Sequence, residues 1–193
     1  MRNTVILAVK LFVITAVATA VLAVVNGMTS PIVTEREAKE YSDSLKEVFE
    51  TADDFKSLSE IDKDKYTKVV EGNENIEDIV LAYSGGEEVG YVFKVNGKGY
   101  GGPITFVIGV DKEATILGYK VLISSETKGF GSQVAEEPFI SSVVGNKIDQ
   151  EIVSASNPST DYDIQAISGT TLSVKGILSG LNGAVEALSE LGI

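Results

Sequence analysis

Ser168, Gly169, Thr170 and Thr171 set three hydroxyls around one glycine, directly before the apolar-patterned stretch that begins Leu172-Ser173-Val174-Lys175-Gly176-Ile177. The opening turn of a helix carries backbone N–H groups with no helical partner, and the helix dipole adds partial positive charge at the same end. An anion such as a phosphate is stabilised there. Gly169 admits positive φ and close approach, while Ser168, Thr170, Thr171 and Ser173 offer hydroxyls as donors, caps or points of covalent attachment. Lys175 stands four residues beyond Thr171, and helical side chains lean toward the N-terminus, which brings its ammonium within reach of a group on Thr171. The same cluster also reads as an ordinary helix N-cap, and the segment alone leaves both readings open.

Two further glycine-rich segments stand out. Gly97-Lys98-Gly99-Tyr100-Gly101-Gly102-Pro103 holds four glycines in its first six residues, more than a hairpin needs. Glu126-Thr127-Lys128-Gly129-Phe130-Gly131 is the second. Such loops permit backbone to approach a flat ligand closely, and each also serves as a plain flexible connection. Tyr100 is in turn a candidate ring contact or a core aromatic.

The elements that must position these segments are legible from patterning. Strand-like runs occupy 79–83, 90–95, 104–110 and 116–123, separated by Ser84-Gly85-Gly86, Asn96-Gly97 and Asp111-Lys112-Glu113. Short turns between alternating runs predict an antiparallel sheet. Leu172, Ile177, Leu178, Leu181, Val185, Leu188 and Leu191 give the C-terminal helix an apolar face able to cover that sheet. Thr34-Glu35-Arg36-Glu37 reads as a capping box for a helix through about Glu50, and the charged stretch 51–75 as surface helix, loop or both. The fold class expected is α+β.

Composition removes several chemistries. The 193 residues include no Cys, His or Trp, and the formal net charge is −12. Disulfides, thiolate nucleophiles, Cys-ligated iron–sulfur clusters, imidazole bases and His-held haem or zinc are all excluded. Any redox group must be imported. The acidic balance argues against nucleic acid as a partner.

Residues 4–25 form a predominantly apolar run interrupted by one charge, Lys10; the run is long enough to cross a bilayer, and Lys10 sits near enough to the start to snorkel. Arg2, Lys10 and the terminal amine predict a cytoplasmic N-terminus and an exported remainder. A cleaved signal peptide is the competing reading; Ala18-Thr19-Ala20 has the small-x-small form, but the apolar run continues through Val25 and favours an uncleaved anchor. Asn26 to Pro31 holds turn formers that are expected to end the span. The organisation read from this is an anchor over 1–26, a linker and helical segment over 27–75, and one domain over 76–193. The exported part carries 14 Lys and Arg against all 28 Asp and Glu, an acidic surface.

Taken in order, the three segments resemble the FMN-binding domain shared by the G subunit of the Rnf complex and the C subunit of the sodium-pumping NADH:quinone reductase. The resemblance covers roughly residues 90–190, and an N-terminal anchor belongs to the same layout. It implies covalent FMN, held through a phosphoester to Thr171 as acceptor rather than catalytic nucleophile. It further implies a flavin site built from Ser168, Gly169, Thr170, Leu172, Lys175, Tyr100, Gly101, Gly102, Glu126 and Thr127. Thr170 stands where that family usually has alanine, Gln165 where an acidic residue is common, Lys128 where proline is usual and Val174 where serine is frequent.

The resemblance also implies a function: a membrane-anchored electron-relay subunit on the extracytoplasmic face, matured by a flavin transferase. Its partners would be the other membrane and peripheral subunits of a complex that couples electron transfer between ferredoxin and NAD+ to Na+ or H+ translocation. The compact length is more like the Rnf member of the pair than its quinone-reductase counterpart. With no dinucleotide fingerprint and no iron–sulfur ligands, the chain cannot complete such a reaction alone. A free-standing flavinylated carrier and a non-redox tethered binding module are the alternatives.

Overall fold

The computed structural model describes residues 2–192. By internal contacts the chain forms two units, one up to Tyr41 and one from Ser42 onward.

Helix α1 runs from Arg2 to Val48, 47 residues, and its most apolar stretch has a mean hydropathy of 2.6 with none of that stretch buried. At 1.5 Å per residue it is about 70 Å long, against about 30 Å for a hydrocarbon core. It is therefore long and apolar enough to cross a membrane. The turn expected at Asn26 to Pro31 is absent, and the helix passes straight through Pro31. Proline deprives only the carbonyl four residues back, that of Gly27, while the turns on either side keep their ladder. Thr29 Oγ1 donates to the Val25 carbonyl at 2.9 Å and Thr34 Oγ1 to the Ser30 carbonyl at 3.1 Å. The Thr34 to Glu37 capping box is thus also corrected: Thr34 bonds backward within a helix already under way rather than starting one.

The second unit is built on a five-stranded antiparallel meander in the order β1-β2-β3-β4-β5. Its strands are β1 (Asp54–Ser57), β2 (Ile76–Ser84), β3 (Glu87–Lys98), β4 (Pro103–Asp111) and β5 (Ile116–Ser124). The last four are the strands expected from the sequence. β1 comes from the charged 51–75 stretch, too short and too polar to announce itself, and pairs with β2 from Asp54↔Tyr83 to Ser57↔Val80. Two short helices follow it, α2 (Leu58–Ile61) and α3 (Lys63–Gly72), capped by Ser57 and Asp62 side chains that accept from the Ser59 and Lys65 N–H groups.

Interior strand β4 is buried from Ile104 through Val110, so both sheet faces are covered. One face packs under helix α5 (Thr171–Leu191), which buries Val174, Ile177, Leu181, Ala184 and Leu188 against Phe93, Val95, Phe106 and Ile108. Val48 and Phe49, at the end of α1 and just beyond it, are 2% and 1% exposed and lie over the other face. A Cβ at Gly118 would fall 2.5 Å from Val48 Cα, and one at Gly90 2.8 Å from the Phe49 ring. Glycines in β3, β4 and β5 thus make the depression that seats this segment, and Lys120 pairs with Glu47 at its edge. Between β5 and α5 lie a 3-10 turn (Gly131–Ala135), α4 (Phe139–Val143) and a two-stranded parallel ladder of β6 (Val153–Ala155) and β7 (Asp163–Gln165).

Candidate functional site

Three backbone segments meet where α5 begins. The β3–β4 connection closes with the Gly99 N–H on the Gly102 carbonyl at 2.9 Å, and Gly102 takes φ 147°, a value that favours glycine. Gly97 lies directly on Gly176 of α5, and a Cβ on Gly176 would sit 2.7 Å from the Lys98 carbonyl oxygen. No side chain fits between helix and strand here, which fixes the height of α5 against the loop.

Glu126 ties the segments together. Its Oε1 accepts from the Gly101 N–H at 2.9 Å, and its Oε2 accepts from the Ser173 hydroxyl at 2.8 Å. One carboxylate therefore holds the glycine loop to the first turn of α5. Gly131 must lack a side chain, because a Cβ there would run into the Glu126 carboxylate. After Glu126, the Thr127 carbonyl accepts from the Phe130 and Ser132 N–H groups, starting the 3-10 turn. That turn is fixed from below by the Tyr119 hydroxyl, which donates to the Val134 carbonyl at 2.9 Å; burial pushes the Tyr119 pKa up and keeps it a donor.

The start of α5 follows from Gly169 at φ 81° and the Thr170 N–H bonded to the Ile167 carbonyl. Thr170 is the N-cap residue, and its carbonyl accepts the first helical bond from Val174 at 3.1 Å. Its side chain makes no capping bond. Thr171 occupies the first helical position and is exposed, whereas Thr170 is only 4% exposed. The N–H groups of Thr171, Leu172 and Ser173 are the ones a helix start leaves without helical partners.

These parts enclose a cleft of about 390 Å³. Tyr100, Glu126 and Thr127 line it from the two loops, and Gly169, Thr170, Thr171 and Leu172 from the helix start. Gly101 stands beside it on Glu126, and Gly102 shapes the same loop. Ser168 faces a neighbouring depression with Gln165 and Pro138 instead. Lys175 is exposed on α5 and is not among the lining residues. Three lining residues lie outside the flavin site that the resemblance implied: Phe130, Gly131 and Ser173. The first two lie within the second glycine-rich segment, and Ser173 was visible only as one hydroxyl among several. Tyr100 is 76% exposed and Phe130 61%, so neither is a core aromatic; they form an apolar rim with Leu172.

The family model for the FMN-binding domain matches residues 99–186, which take in the first segment from Gly99 and the whole of the other two. The chain is 31% identical over 94% of its length to the G subunit of the ion-translocating oxidoreductase complex of Methanosarcina acetivorans, covering 92% of that protein. The chain belongs to this G-subunit family. It is also 29% identical, over 94% of its length and 89% of the relative's, to the G subunit of the Na(+)-translocating ferredoxin:NAD(+) oxidoreductase complex of Acetobacterium woodii. Among solved structures, NqrC of Shewanella oneidensis aligns with a TM-score of 0.51 at 20% identity, over 60% of this chain and 61% of that one, a likeness of fold. Membership in the G-subunit family makes the chain a subunit of an oxidoreductase complex, with the α+β fold and N-terminal apolar helix expected of it.

Proposed function

We propose that the chain is a membrane-anchored electron-relay subunit that carries FMN on Thr171, in a complex coupling electron transfer between ferredoxin and NAD+ to Na+ or H+ translocation. The observation that carries this reading is the contrast between two adjacent threonines: Thr171 is exposed at the first position of α5 on the cleft wall, and Thr170 is buried. The cleft suits the group. It offers about 390 Å³, an apolar rim, an anion-stabilising helix start and one buried hydroxyl, Thr170 Oγ1, without a hydrogen-bond partner.

Attachment needs a flavin transferase and FAD. Thr171 Oγ attacks the FMN-side phosphorus of FAD, the pyrophosphate bond breaks, AMP leaves and the hydroxyl proton passes to solvent. The product diester keeps one negative charge, which the N–H groups of Leu172 and Ser173 stabilise where the helix dipole is positive. Flavin, when bound, supplies the electron-transfer chemistry. The chain supplies position: Glu126 locks the Gly101 loop to Ser173, and Tyr100, Phe130 and Leu172 shield the ring from water. Residues 1–26 anchor the chain with the N-terminus in the cytoplasm and residues 76–193 carry the flavin outside. The acidic exported surface then meets the other members of the complex.

Intact-mass measurement of protein made alongside a flavin transferase tests this. The expected result is one adduct equal to FMN less water, lost in Thr171→Ala together with in-gel flavin fluorescence. An unmodified wild-type chain, or an adduct that survives in Thr171→Ala, overturns the assignment.

A further inference from the structure

Thr170 Oγ1 is buried and has no hydrogen-bond partner. It belongs to the N-cap residue of α5, which normally spends its side chain on the first-turn N–H groups, yet it makes no such bond. The residue is 4% exposed and forms part of the cleft wall, next in sequence to exposed Thr171. A buried hydroxyl left unpaired loses its bonds to water without replacement, so the fold tolerates it only against a gain elsewhere. An alanine or valine would remove that cost at this position.

We infer that the Thr170 hydroxyl is a phosphate ligand, donating its proton to a non-bridging oxygen of the diester on Thr171. Thr170 stands on the cleft wall directly beside Thr171, and rotation about χ1 moves a threonine hydroxyl between staggered wells without moving the backbone. The helix start then binds the diester through backbone N–H groups and one side-chain donor. A hydroxyl donating to a charged oxygen is among the stronger hydrogen bonds, and the polar atom that is costly in the unloaded protein becomes paired in the loaded one. The inference rests on Thr171 bearing the FMN phosphate.

The test compares Thr170→Val and Thr170→Ser with the wild-type full chain in detergent, each prepared with and without covalent FMN. Without flavin, Thr170→Val should melt at the same temperature as wild type or higher, since it replaces an unpaired buried hydroxyl with a methyl group of similar size. With flavin it should lose part of the stabilisation that loading confers, the Tm gain being smaller by roughly 2–4 °C. The phosphorus NMR resonance of the diester should move in Thr170→Val and stay at the wild-type position in Thr170→Ser, which keeps the donor. If Thr170→Val changes Tm equally in both forms and leaves the resonance in place, Thr170 is not a ligand and the inference fails while the Thr171 assignment stands. An adduct mapped by peptide mass to Thr170 itself, or no adduct on the wild type, overturns the Thr171 assignment and the inference with it.

Discussion

Glu126 shows how one residue can make a site out of three chain segments. Its two carboxylate oxygens are each committed, one to the Gly101 N–H and one to the Ser173 hydroxyl. Removing the carboxylate leaves a loop amide and the buried Ser173 without their partner. We predict that Glu126→Ala lowers stability by about 1–3 kcal/mol, read as a shift of the urea midpoint at unchanged slope. Glu126→Gln should lose much less, because the amide oxygen can accept from Gly101 and the amide nitrogen can donate to the Ser173 oxygen. Equal losses in the two variants would mean that the negative charge, rather than the pair of hydrogen bonds, is what matters. At the same scale, Thr170 and Thr171 are chemically identical side chains separated by burial alone, which is why one is a candidate for attachment and the other for recognition.

At the scale of elements, α5 reaches its place through glycine. Gly176 and Gly180 face the sheet, where a Cβ on Gly180 would sit 2.6 Å from Val95 Cγ1 and 2.7 Å from the Phe106 ring. Alanine at a helix position is worth about 1 kcal/mol over glycine, so these glycines oppose helix propensity in favour of close approach. At Gly176 the obstacle is backbone, which cannot rotate aside. Gly176→Ala should therefore destabilise by about 1–2 kcal/mol net, overpacking exceeding the propensity gain. Gly72 at the end of α3 is the comparison: a Cβ there meets nothing closer than 3.7 Å. Gly72→Ala should stabilise by about 0.4–1 kcal/mol. Denaturant titration of the two variants gives both signs, and a stabilised Gly176→Ala would contradict the packing argument. The displaced α5 would also carry Thr171 away from Glu126 and Tyr100, so flavin loading of Gly176→Ala should fall.

For the molecule as a whole, the continuous α1 gives residues 42–49 a second role. Ser44, Val48 and Phe49 are buried in the second unit, with exposures of 0%, 2% and 1%. A chain beginning at Ser42 keeps these contacts and lacks the apolar stretch; we predict that it leaves the membrane fraction and folds. A chain beginning at Glu50 uncovers Gly90, Gly109 and Gly118 and forfeits a buried Phe, and should be less stable by about 3–5 kcal/mol. Urea unfolding of the two shortened chains measures the difference directly. Equal midpoints would show that the segment is dispensable to the sheet.

Much of this was legible in the sequence. Strands β2 to β5 announced themselves through apolar runs broken by turn residues, and the apolar face of α5 through helical spacing, because both depend on local periodicity. The apolar span showed itself by length alone. The three segments of the cleft were also visible as departures from ordinary composition: glycines where a hairpin needs few, and hydroxyls where a helix starts. What local patterning could not show is what depends on distant partners. The expected turn at Asn26 to Pro31 and the capping box at Thr34 vanished because a helix already formed on both sides outweighs one proline. β1 exists only because β2 offers it an edge. Phe130 and Ser173 joined the cleft because Glu126 draws the first turn of α5 to the loop after β5, and Lys175 and Ser168 fell outside it because their positions on the backbone face elsewhere. The sequence by itself determined that a hydroxyl-rich helix start and two glycine loops share one α+β chain with an N-terminal segment long and apolar enough to cross a membrane. Only the tertiary structure decided which of the two adjacent threonines is exposed, since burial is a property of the packed neighbours and not of the residue.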